Sequence, residues 1–192
     1  MANICGKLAG GMSVGCGSDI QKRYAQEVVI INKDDIATST KTFSTGDKGQ
    51  HNVTFTLKAS KTGYKFEFPA NGSGVSGTVD KTTSEHGLVQ YVHNVNILAI
   101  GAGEDMKAIL TSLDTGRYVV AMKIGSVIEI YGIDNGVSTG DYTLDLAGGA
   151  GATVVTLTSG EGREESFLPL VYKASGAGDG MADFDALFAT GA

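Results

Sequence analysis

RYVVAMKIGSVIEIYGI, residues 117–133, holds two apolar runs rich in β-branched residues, separated by Gly125-Ser126. A two-residue loop with glycine first is the form of a type II′ turn, whose twist matches that of the strands it joins. Within 118–131 Lys123 and Glu129 are the only charges, so both faces of the hairpin are nearly apolar. Such a hairpin needs cover on both sides, which places it in a core or between subunits.

Strand signals recur on either side of it. YAQEVVII, 24–31, ends in a β-branched run that NKDD stops with turn formers. HNVTFTLKA, 51–59, alternates, with Val53, Phe55 and Leu57 on one face and Asn52, Thr54 and Thr56 on the other. GYKFEF, 63–68, sets Tyr64, Phe66 and Phe68 against Lys65 and Glu67 in the same way, and the two segments read as a hairpin through Ser60-Lys61-Thr62-Gly63. VQYVHNVNILAI, 89–100, is the longest strand candidate, and DYTLDL, ATVVTLT and SFLPLVY complete the set. Residues 69–87 are polar and studded with glycine, the composition of a long loop with at most weak strands.

One helix stands out, over 104–114. Glu104 and Asp105 supply its acidic first turn, Met106, Ile109, Leu110 and Leu113 form the apolar stripe, and Gly116 follows as a stop. The expected fold is all-β with one short α-helix: a β-sandwich or half-barrel of about eight or nine antiparallel strands. Residues 24–175 form that domain, flanked by a glycine-rich N-terminal arm, 1–23, and a C-terminal arm, 176–192.

With 192 residues, one domain is expected. There are 15 basic against 21 acidic residues, net −6, which excludes the basic footprint that grips nucleic-acid phosphates. Glycine at 28 residues, proline at two and no tryptophan favour tight turns, while 42% apolar residues supply a core. Neither a secretory apolar region nor a membrane-length run occurs, so a cytoplasmic site of synthesis and no membrane partner are expected, with Cys5 and Cys16 as free thiols.

Several motifs imitate catalytic or binding signatures. Gly11-Met12-Ser13-Val14-Gly15 matches the G-x-S-x-G nucleophile elbow, but no core strand precedes it and VGCGSD rather than a helix follows. Gly72 to Gly77 spells G-x-G-x-x-G, yet TVDKTTSE follows without a helical stripe to present its N-terminus. AGGAGAT, 147–153, lacks the lysine of a P-loop. His86 and His93 have no third ligand at metal spacing, and His51 lies far upstream in sequence. Asn52 and Asn71 begin glycosylation sequons that have no export signal to make them acceptors, and Asp134-Asn135-Gly136 is a turn before it is a calcium loop. The expectation is a protein with no catalytic residue, no metal and no cofactor.

The remaining features suit assembly, and on three stretches the chain resembles tailed-phage virion proteins, most of all major tail tube proteins. These are KRYAQEVVIINKDDI, 22–36; GEDMKAILTSLDTGRYVVAMKIGSVIEIYGID, 103–134; and GGAGATVVTLTSGEGREESFLPLVY, 148–172. The resemblance implies copies of the chain joined in rings, six to a ring, whose inner strands form a continuous barrel. Rings then stack into a tube in the virion tail, assembled in the host cytoplasm with other virion proteins, through which DNA passes without specific binding. On this view Asn52, Thr54, Thr56, Lys65 and Glu67 face the lumen, residues 70–87 reach the next ring, and Phe184, Leu187 and Phe188 dock on a neighbouring subunit. Deleting 176–192 is expected to leave a folded monomer that no longer polymerises. Two other classes remain open: a capsid decoration or head-stabilising protein, and a carbohydrate-binding adhesin module, against which the absence of tryptophan argues.

Overall fold

The computed structural model describes residues 27–43, 51–68, 74–100, 103–143, 152–160, 162–174 and 180–186. Its centre is β1 (Glu27–Asn32), in which the four consecutive residues Val28 to Ile31 are all buried. A strand apolar on both faces is stable only with neighbours on both edges and layers above and below. β4 (Tyr64–Glu67) pairs along one edge and β7 (Tyr118–Ile124) along the other, both antiparallel. β7 turns into β8 (Val127–Tyr131) at Gly125, whose φ of +61° fits the glycine-first turn, so the 117–133 hairpin sits mid-sheet as its two apolar faces require.

β11 (Leu170–Tyr172) continues the sheet antiparallel to β8, β3 (His51–Leu57) adds to β11 in parallel, and β2 (Ile36–Phe43) closes the row antiparallel to β3. The seven-stranded order is β2-β3-β11-β8-β7-β1-β4. A second sheet has the order β5-β6-β10-β9, from β5 (Ser76–Thr83), β6 (Val89–Ile100), β9 (Ser138–Thr139) and β10 (Ala152–Thr158). The two pack face to face. Val28, Ile30, Val120, Met122 and Tyr131 of the larger sheet meet Val95, Ile97 and Leu157 of the smaller. The reverse face of the larger sheet carries a second core of Val29, Ile31, Val53, Phe55, Val119, Ala121 and Ile130. Each fully buried aliphatic side chain contributes about 1.5–3 kcal/mol, so the β1–β7–β8 centre anchors both layers.

Two helices complete the described residues. α1 (Glu104–Leu113) buries Leu110 and Leu113, and α2 (Met181–Ala186) is a short second helix. The fold is thus a mostly β sandwich of two sheets, with eleven strands among the described residues and one parallel pairing, rather than eight or nine strands all antiparallel.

Three local expectations are corrected. Residues 51–57 and 64–67 do not form a hairpin with each other: four strands separate β3 from β4 in the seven-stranded order. β1 needs a partner on its second edge, and β4 supplies it with Phe66 beside Val28. Residues 76–83 are not loop but β5, paired with β6 over eight residues. Residues 141–143, the start of DYTLDL, are not strand, and 144–146 lie outside the described residues.

The second sheet approaches the first so closely that β5 needs a glycine. A Cβ on Gly77 would collide with the Tyr131 hydroxyl, and that tyrosine is buried and donates to Glu129 Oε2 at 2.8 Å. Gly77→Val is expected to cost about 1–3 kcal/mol by displacing the ring, measured by chemical denaturation.

Candidate functional site

The side chains expected to face a lumen do not share a surface. On β3, Val53 and Phe55 point into the reverse-face core, which leaves Asn52, Thr54 and Thr56 on the opposite face, opposite Thr42, Thr40 and Thr38 of β2. There Thr38 and Thr56 hydroxyls bond at 2.8 Å, and Thr54 donates to the Lys173 carbonyl at 2.9 Å. Lys65 and Glu67 lie on the other face and at the other edge, since Lys65 sits opposite Val29 and Glu67 opposite Glu27. Together they belong to an ion cluster across β4, β1 and β7. Glu27 takes Lys123 at 2.7 Å and Lys65 at 3.1 Å, and Lys65 also holds Glu67 at 2.8 Å. Bonding to Lys123 draws the Glu27 carboxyl below its usual range, against a smaller opposing effect of burial.

Phe184 is equally committed. It is buried in the reverse-face core of its own chain, with the Lys123 ammonium 5.5 Å from its ring centroid, while Tyr172 donates to Asp183 at 3.2 Å beside it. Leu187 and Phe188 lie outside the described residues, as do Ser13, Cys5, Cys16 and Asn71. Removing 176–192 therefore opens the core as well as removing an arm, because Phe184 fills it.

The chemically suggestive residues are tied into structure. His93 lies between the sheets, 1% exposed. Its Nδ1 accepts from the Gly132 N–H at 3.2 Å, which leaves the proton on Nε2 to donate to the Phe167 carbonyl at 2.9 Å. Burial pushes its pKa down to about 4. His51 lies edge-on to Phe43 at the β2–β3 edge, and His86 occupies the exposed β5–β6 turn, so the three histidines sit on separate elements.

Glu165, which the sequence reading passed over, is buried as well, at 1% exposure. Its carboxylate oxygens accept from the Asp134 N–H and the Asn135 N–H, each at 2.8 Å, and Asn135 Nδ2 donates to the Glu164 carbonyl at 2.7 Å. The Asp134-Asn135-Gly136 stretch is accordingly a turn whose donors are satisfied by a protein carboxylate, with Gly136 at φ +79°. Lys41 of β2 pairs with Asp134, and Lys33 donates to the Ile133 carbonyl at 2.8 Å. Burial raises the Glu165 pKa against those donors and cations, and burial lowers that of Lys41. A signal for this cluster was scarcely present in sequence, because its members are 41, 134 and 165. Among the described residues no group of three or more His, Cys, Asp or Glu is placed to hold a metal ion, and no helix is long and apolar enough to cross a membrane.

Among the described residues, what the fold leaves open is at its margins. β2 and β4 are the outer strands of the larger sheet, and the side chains of Ala37 to Thr40 are exposed. Beside β4 runs a groove walled by α1. One part of it, about 660 Å³, lies among Tyr64, Phe66, Ile109 and Tyr118, and a second, about 190 Å³, among Phe68, Ile97, Met106 and Val155. No protein-family model, curated protein or solved structure matches this chain. These margins are the candidate site.

Proposed function

We propose that this chain is a structural protein of a tailed-phage virion, joining copies of itself into rings and stacks that form the tail tube through which DNA passes. One observation carries the reading: among the described residues, the two outermost strands of the larger sheet run in opposite directions. From β2 to β4 the sheet reverses direction five times, at β2–β3, β11–β8, β8–β7, β7–β1 and β1–β4. Copies rotated about an axis along the strands keep their strand directions, so β2 of one copy meets β4 of the next antiparallel. An unpaired edge is a template for such addition, and a heterologous contact of this kind closes into a ring when the rotation permits.

The outward face of the smaller sheet supports the same reading. It carries Ser76, Thr78, Asp80, Asn94, Asn96 and Thr156, with Asn94 donating to Asp80 and Thr156 to Asn96, and no cation among the described residues of those outward rows. A surface without lysine or arginine offers passing phosphates nothing to bind. It replaces the 51–68 segment as the candidate channel face.

Electron microscopy of the purified full chain is expected to show rings or tubes. Ser39→Lys on β2 or Tyr64→Lys on β4, both exposed, is expected to raise the concentration needed for assembly at least roughly tenfold, with the circular dichroism spectrum and melting unchanged. A dispersed monomer at every concentration overturns the reading. A trimer that binds only preformed shells would make the chain a decoration protein, and sugar binding without self-assembly an adhesin module.

A further inference from the structure

Lys41 is the one charged residue of β2, and it stands on the strand's inward side. It lies opposite Val53 in register, so its side chain shares a face with the Val53–Phe55 core rather than with the exposed threonines. Its Nζ contacts Asp134 Oδ1, and both side chains are withdrawn from solvent, at 24% and 19% exposure. The Phe167 ring centroid lies 5.4 Å from that nitrogen, and the Phe43 ring packs on Phe167 at 4.5 Å between centroids, so aromatic surface covers the pair.

Glu165 fixes Asp134 through its main chain. By accepting from the Asp134 and Asn135 N–H groups, this buried carboxylate holds the backbone of the turn, and with it Asp134 Cγ beside the lysine nitrogen. Lys33 is engaged by the Ile133 carbonyl, and among the described residues Lys41 is the cation that contacts Asp134. An ion pair so placed is one proton transfer from a neutral amine and a neutral acid, and withdrawal from water favours the neutral forms. Burial lowers the Lys41 pKa, and Lys33 pushes it the same way against the opposing pull of Glu165. The Lys123–Glu27 pair differs, because that carboxylate is shared by two ammonium groups, Lys123 and Lys65, which hold it charged.

We infer that Lys41 and Asp134 become joined by an isopeptide bond within the chain, with Glu165 as the positioning residue. One proton passes from the Lys41 ammonium to the Asp134 carboxylate. The freed amine then attacks Asp134 Cγ. The C–N bond forms, the bond from Cγ to the hydroxyl breaks, and the hydroxyl leaves as water with a second proton from Nζ. An ammonium and a carboxylate thus become one neutral amide and one water, with no oxidant, reductant or co-reactant. Partners held in orientation reach effective molarities of about 10⁵–10⁸ M, which offsets the cost of condensing them in water. The bond ties β2, an outermost strand that pairs with β3 among the described residues, to the turn after β8. It is independent of whether the chain assembles.

The test is the intact mass of the full chain in denaturant. The parent is expected to be lighter than its sequence by one water, and a protease digest to contain a branched peptide joining the segment around Lys41 to that around Asp134. Lys41→Arg, which keeps the cation, and Asp134→Ala are each expected at full sequence mass. Glu165→Gln, folded by circular dichroism, is expected to leave most of its chain unlinked, a readout that a merely stabilising role would not move. A parent at full sequence mass overturns the bond. So does a loss of water that persists in Lys41→Arg, which would place the dehydration in an imide of the Asp134-Asn135-Gly136 turn. Complete linkage in Glu165→Gln overturns the role given to Glu165.

Discussion

Replacing Glu165 with alanine is expected to destabilise the fold by about 3–5 kcal/mol in chemical denaturation. The carboxylate is 1% exposed and accepts from two backbone N–H groups at 2.8 Å, and hydrogen bonds to a charged acceptor are worth about 1.5–3 kcal/mol each. Alanine strands both donors at a site too enclosed for bulk water to reach freely. It also leaves Lys41 and Lys33 facing a half-buried turn with Asp134 as the remaining carboxylate near them. Glu165→Gln separates charge from shape: one oxygen still accepts, but the amide nitrogen confronts a backbone N–H, so an intermediate loss of about 1–3 kcal/mol is expected. A loss below about 1 kcal/mol for alanine would mean that the turn finds other acceptors, and the cluster would then not be what fastens β2 to the body of the sandwich.

On the self-assembly proposed above, that fastening matters, because β2 is an outermost strand among the described residues. Its residues 37–40 are exposed, and Lys41 reaches Asp134 from their end of the strand. A strand that offers its edge to a neighbour must be held in register by its own chain first, and β3 together with the Lys41–Asp134 pair does this. Glu165→Ala is therefore expected to weaken assembly beyond its effect on folding, in contrast to Gly77→Val, whose site lies on the other sheet.

The strands that the sequence revealed are those with a buried face. In β3 Val53 and Phe55 alternate with polar residues, in β6 Val95 and Ile97 do so, and β1, β7 and β8 are apolar on both faces apart from Glu27, Asn32, Lys123 and Glu129. β2 and β5 were missed for one physical reason. IATSTKTF and SGTVDKTT are outer strands with little buried on either side, and their strand character comes from a partner strand rather than from a burial period. The order of strands was illegible where it depends on distant segments. Sequence adjacency favours pairing 51–57 with 64–67, but the two-sided burial of Val28 to Ile31 demands a second partner for β1, and that demand appears only once β7 is in place. α1 shows the converse. Its stripe of Met106, Ile109, Leu110 and Leu113 was legible, yet Ile109 remains 37% exposed over a groove, and this mismatch between apolar pattern and burial marks the open surface.

Acid is expected to weaken the protein through His93. In the unfolded chain an imidazole takes its proton near pH 6.5, whereas in the folded protein burial holds that pKa down to about 4. Above pH 6.5 both states carry a neutral ring and the residue costs nothing. As pH falls from 6.5 towards 4 the unfolded state gains a proton that the folded state refuses, and stability drops by about 3 kcal/mol across that window. The neutral form is also the one the geometry requires, since Nδ1 must accept from Gly132 while Nε2 donates to Phe167, and a doubly protonated ring would set two donors face to face. Glu165 acts in the opposite sense. Its folded pKa is raised by burial, so falling pH relieves the penalty of its charge and offsets part of the loss in the same direction of titration. Comparison with His93→Gln isolates the histidine, because glutamine offers one acceptor and one donor and does not titrate. The variant is expected to start less stable at pH 7.5 and to lose about 2–3 kcal/mol less than the parent on going to pH 4.5, by denaturation at each pH. Parallel curves for the two proteins would place the acid sensitivity elsewhere and would mean that the Gly132 and Phe167 contacts do not hold the ring neutral.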